Sequence, residues 1–69
     1  MKKPLEKKLF RCLSIMRLLE QGKKIRTPDM ANEFGTTQRT ILRDLANLSE
    51  IGMSLIQEGS RGDSIWRKI

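Results

Sequence analysis

The stretch TPDMANEFGTTQRTILRDLANL, residues 27–48, holds two helix-period segments separated by a glycine and two threonines. Thr27 offers a hydroxyl as an N-cap, Pro28 suits the first helical position, and Asp29 sets a negative charge at the positive end of the helix dipole. Met30, Ala31 and Phe34 form one apolar face over two turns, and Gly35 closes the segment. Thr36 and Thr37 make a turn in which Thr37 repeats the capping signal. The next helix is predicted from Gln38 to about Glu50, with Ile41, Leu42, Leu45, Leu48 and Ile51 inward and Gln38, Arg39, Arg43, Asn47 and Glu50 outward or at the edges. Gly52 stops it. The spacing therefore predicts two helices joined by a tight turn, the second with an Arg-bearing face opposite an apolar one.

Before this stretch, Leu5, Leu9, Cys12, Leu13, Met16 and either Leu18 or Leu19 recur at intervals of three and four, which predicts a helix from Pro4 to Gln21 closed by Gly22. Lys7, Lys8, Arg11 and Arg17 flank that stripe, either as a solvated face or within reach of phosphates. Ile25 anchors a short strand or a loop. After Gly52, two apolar-containing runs, residues 53–57 and 64–69, enclose the glycine-rich segment GSRGD and are expected to form a hairpin. Trp66 is expected to cap the core with Ile65 and Leu55.

Function in so short a chain must sit on the surface. Sixty-nine residues leave little room for a deep cleft, and a sequence with no His, no Tyr and one Cys lacks the usual acid, base and nucleophile sets. No enzyme, metal site or cofactor is expected; Cys12 can form no disulfide within the chain and is expected to be a buried thiol. Lys and Arg number 14 against 8 Asp and Glu, a net charge of +6, so polyanions are the natural partners. No apolar run approaches the roughly 18 residues that span a bilayer, and Arg11 and Arg17 interrupt any signal-peptide core, which predicts a cytoplasmic protein without a membrane partner.

The order helix, helix, turn, helix, hairpin resembles a winged helix-turn-helix domain, mainly α with a small β-hairpin. Residues 30–45, MANEFGTTQRTILRDL, resemble more closely the DeoR-type bacterial regulators, whose pattern is LA-x-x-(L/F)-G-V-S-x-R-T-I-x-R-D-L; Arg39, Thr40, Ile41, Arg43, Asp44 and Leu45 follow it in order. The resemblance implies that Ala31 allows close helix approach, that Gly35 is the turn and that Ile41 packs between the helices. Thr36 stands where the pattern has Val. Regulators of that type usually carry a large effector-binding domain, and none follows here, so residues 1–69 are expected to form one stand-alone domain with no small-molecule effector.

A helix of this kind enters the major groove of double-stranded DNA, with residues near its N-terminus at base edges. The expected DNA-binding residues are Thr27, Thr37, Gln38, Arg39, Thr40, Arg43 and Asn47, with Arg61 at the hairpin tip. Arg suits guanine and Gln adenine, though phosphate contacts stay open for both arginines. Asp44 beside such a surface is expected to be structural, pairing with Arg43 or with a basic residue of another element. Three functions fit: a sequence-specific transcriptional regulator, of phage, prophage or bacterial kind and most simply a repressor; an excisionase-type factor that binds repeated sites and bends DNA; or a winged-helix protein-interaction module. Limited affinity of one module makes a homodimer or a cooperative multimer on DNA the expected form.

Overall fold

Among residues 4–59 and 64–69, which the computed structural model describes, three helices, α1 (Pro4–Glu20), α2 (Thr27–Glu33) and α3 (Gln38–Glu50), are joined by three short strands, β1 (Ile25–Arg26), β2 (Leu55–Glu58) and β3 (Ile65–Lys68). The fold is mainly helical and matches a winged helix-turn-helix, with the β2–β3 hairpin as wing.

All three helices end in one hydrogen-bonding pattern, which decides where the chain turns. After α2 the Gly35 amide donates to the Asn32 carbonyl (3.3 Å) and the Thr36 amide to the Ala31 carbonyl (2.9 Å). The same pair of bonds closes α1 through Gly22 and Lys23 (3.0 and 3.1 Å) and α3 through Gly52 and Met53 (both 3.1 Å). This is the double bond of a Schellman cap, which needs a left-handed residue just past the helix. Gly35 supplies it at φ 63°, and its missing Cβ would meet nothing within 4 Å. Conformation alone, and no steric clash, selects glycine there.

The core joins Ile15 and Leu19 of α1, Ile25 of β1, Ala31 of α2 and Ile41, Leu45 and Leu48 of α3. Met30, Phe34, Met53, Leu55 and Trp66 pack against it, so the wing's aromatic residue does close one side of the core. Two expectations about which side chains face inward are corrected. On α1 the buried stripe is Ile15 and Leu19, whereas Leu9 and Leu13 are exposed and Cys12 is half-buried. The helix carries two apolar stripes, and a period of 3.6 marks both without choosing between them. On α3, Leu42 is 41% exposed and Ile51 is 75% exposed. Leu42 lies about 100° around the helix from fully buried Ile41, and Ile51 sits at the C-cap, past the last packed turn.

The sheet is antiparallel in the order β1–β3–β2. Ile25 does anchor a strand, opposite Trp66, while Gln57 faces Trp66 from the other side. The Thr27 amide extends this ladder to the Ser64 carbonyl (3.1 Å), tying the wing to the start of α2. Across the sheet, Lys24 (3.2 Å) and Arg67 (2.9 Å) contact one carboxylate oxygen of Glu58, neither aligned as a good hydrogen bond. Short-range donation from Lys24 first and Arg67 second, imperfectly aligned as it is, holds its carboxyl below the usual carboxylate range, with the two positive charges adding less.

Because Gly35 is selected by φ alone, Gly35→Ala should lower unfolding stability by about 1–2 kcal/mol, and Gly35→Asn by less, since Asn visits the left-handed region more readily. Urea denaturation with an unchanged slope checks this; equal losses for the two variants would contradict it.

Candidate nucleic-acid interface

The start of α3 is built by the turn before it. The Thr37 hydroxyl accepts from the Thr40 amide (3.3 Å), a true N-cap, and lies 3.1 Å from the Thr40 hydroxyl. Thr27 does not act in the same way. It falls inside α2, whose N-cap position is Arg26 without a side-chain cap bond, and it is fully buried. Its hydroxyl donates to the Gln38 side-chain carbonyl at 3.3 Å. Thr27 thus has no surface to offer DNA, and its place among the expected contacts is corrected: it holds Gln38 across the turn. The capping signal repeats in sequence, but only the second copy caps.

From Gln38 onward, α3 presents Gln38, Arg39, Leu42, Arg43 and Ala46 to solvent, with Thr40 and Asn47 half-buried at one edge. Arg39 and Arg43 stand one turn apart, and among the described residues neither is paired with an acidic side chain. Leu42, expected inward from its aliphatic class, belongs to this face. Its position one turn after Gln38 and one turn before Ala46 is the signal that places it there. Arg61 lies outside the described residues.

The one acid within the first two turns of α3 is removed from the surface. Asp44 is 1% exposed and receives a two-pronged contact from Arg11 of α1, Nε to Oδ2 and Nη2 to Oδ1, the latter 3.1 Å. Of the two partners expected for Asp44, the basic residue on another element is the one found, and Arg43 is left to solvent. The pairing raises the Arg11 pKa through its hydrogen bond to Asp44, against the opposing effect of burial. Burial likewise raises the pKa of neighbouring Cys12, with the Asp44 charge adding to it, so this thiol stays protonated at neutral pH and is a poor nucleophile. Among the described residues no group of side chains could hold a metal ion, and no helix is long and apolar enough to cross a membrane.

The geometry is that of two helices set at a glycine turn, the second with a basic outer face, backed by a hairpin. A family model described as an HTH domain matches residues 11–62. The chain belongs to the helix-turn-helix domain family. The match begins at Arg11, the residue that fixes α1 to α3, and runs through α3 into the wing, so α3 and its support are both within it. Helix-turn-helix domains bind duplex DNA and are typically not enzymes. No curated protein and no solved structure matches the chain significantly.

Removing one partner of a buried ion pair strands the other, at about 3–5 kcal/mol. Arg11→Ala leaves a carboxylate with 1% exposure and should approach that range; Asp44→Ala leaves a guanidinium with 15% exposure, which keeps some hydration, and should cost less. Arg11→Met with Asp44→Leu should recover much of the loss. A chemical-denaturation cycle checks the order, and equal costs for the two single variants would count against it.

Proposed function

We propose that this protein is a sequence-specific duplex-DNA-binding regulator of transcription that places α3 in the major groove and the β2–β3 hairpin along the backbone. The observation that carries this is the outer face of α3: Arg39 and Arg43 one turn apart, unpaired among the described residues, with the nearby acid buried against Arg11. On this reading Arg39 and Arg43 read guanine edges, and Gln38, steadied by Thr27, reaches a base near the helix start. Thr37, Thr40 and Asn47 at the rim contact phosphates, and Arg61, which lies between the two wing strands in sequence, contacts backbone or minor groove. The string shared with DeoR-type regulators, RT-I-x-RDL, supports the same assignment. The net charge of +6 supplies sequence-independent attraction.

Selection of bound sequences from random duplexes tests this directly. Enrichment of one site or of a palindrome with steep loss of affinity as salt rises is expected; weak binding flat in salt would refute DNA binding. Tandem direct repeats beside an attachment site would instead favour the recombination role. For Arg43→Ala on the selected site, the expected loss is about 1–3 kcal/mol with relaxed preference at one base pair. A uniform loss over all sequences, with the salt slope reduced by about 1, would make Arg43 a phosphate contact instead.

Leu42 adds a separate expectation. An apolar side chain between two arginines on a groove-facing helix suits the thymine methyl group. Replacing thymine by uracil at one position of the selected site should weaken binding by about 0.8 kcal/mol, roughly fourfold, and Leu42→Ser should erase that difference. Indifference to uracil at every position would remove Leu42 from the readout set.

A further inference from the structure

The face of α1 turned away from the core is apolar at its centre, with Glu6 at one end and Arg17, followed by Glu20, at the other. Leu9 (53% exposed) and Leu13 (57%) stand one turn apart, with Phe10 (55%) beside them. Glu6 lies in the first turn of the same face and Arg17 in the last. On a helix of 3.6 residues per turn, Glu6, Leu9, Leu13 and Arg17 all project within one quadrant. Exposed leucines scattered singly need no explanation, but a contiguous stripe framed by charges marks a contact surface.

We propose that this face joins two copies of the chain about a two-fold axis, with α1 antiparallel to α1 of the second copy. A two-fold contact is self-complementary: if residue i meets residue j, then j meets i. With the axis crossing α1 near Arg11 and Cys12, Leu9 and Phe10 meet Leu13 of the second copy. In the same register Glu6 comes beside Arg17 of the second copy, and Arg17 beside its Glu6. Two opposite-charge pairs then frame an apolar centre. A parallel pairing would set Glu6 on Glu6 and Arg17 on Arg17, and a register centred on Leu13 would set Glu6 against Glu20. The charge pattern therefore selects one orientation and one register. Three-and-four spacing of the contact residues is the pattern that lets helices pack side by side at a shallow angle.

The position of the face suits a DNA-binding domain and does not depend on DNA being the ligand. Arg11, Ile15 and Leu19 lie on the opposite side of α1, between this face and α3, so the second copy leaves the outer face of α3 uncovered. A helix pair is a small interface, and such interfaces associate weakly. The dimer therefore forms in the micromolar range.

Sedimentation equilibrium on the full chain over a micromolar concentration series tests this without DNA. The expected result is a reversible monomer–dimer equilibrium. Leu13→Lys should abolish it, with circular dichroism and melting temperature close to the parent because Leu13 is outside the core. Glu6→Arg and Arg17→Glu alone should each weaken the dimer about fivefold to tenfold, because symmetry disrupts two pairs at once. The double exchange, E6R with R17E, should restore it. A chain that stays monomeric throughout the series overturns the proposal, as does a dimer that all three single variants leave unchanged. Weakening by the single charge reversals without restoration by the double exchange overturns the antiparallel register.

Discussion

The contact between Arg11 and Asp44 fixes the geometry on which the rest of the molecule depends. It is the one ion pair of the described residues with a fully buried partner, and it links α1 to α3 across 33 positions of sequence. Desolvating two charges is costly, and such a pair is seldom a large net source of stability. Its value lies in what it forbids. With a carboxylate at 1% exposure, α1 has to lie where a guanidinium reaches both oxygens. A slide or rotation of α1 would leave that charge unpaired in a dry site. A purely apolar contact between two small helices tolerates such slips far better.

That constraint explains why α1 buries the stripe it does. Arg11, Ile15 and Leu19 lie on one side of the helix, so once Arg11 is committed to Asp44 the two apolar residues after it enter the core. Leu9 and Leu13 are then turned outward. From sequence the six-residue stripe that includes Leu9 and Leu13 looks the longer and better one, and it omits Ile15 altogether. Periodicity reports that a helix is amphipathic; it carries no information on a tertiary partner 33 residues away. The same limit applies to Leu42, whose class, aliphatic, suggested the core while its angle around the helix placed it outside.

What could be seen in the sequence was the part governed by local chemistry. The three helices, the glycine stops, the Thr37 cap, the hairpin and the core capping by Trp66 each follow from residues within a few positions of one another, and each is present. Thr27 shows where local chemistry is not enough. Like Thr37 it is a threonine at the start of a helical run, yet it is buried at the junction of β1, α2 and α3, where its amide serves the sheet and its hydroxyl serves Gln38. Two threonines at helix starts gave one cap and one bridge, the cap exposed and the bridge buried.

The distribution of charge shows how a small basic chain can be more than a polycation. Three acidic residues are held in ion pairs, Asp44 with Arg11, Asp29 with Arg26 at 3.4 Å, and Glu58 with Lys24 and Arg67, so that of the two acids of α3 only Glu50, in its last turn, is left exposed. Each such pair neutralises a cation as well, and Arg39 and Arg43 are among the exposed cations that no ion pair of the described residues engages. Uniform positive charge would give salt-sensitive attraction to any duplex and no preference among sequences. Preference needs groups that answer to base edges; in the proposed complex the exposed α3 face supplies them by setting Leu42 and Ala46, apolar and without affinity for phosphate, in a row beside Arg39 and Arg43, which can contact either. On the proposed function, the apolar residues at solvent are where this chain departs from electrostatics, and α1 repeats the arrangement on the opposite side of the core with leucines between an acid and a base.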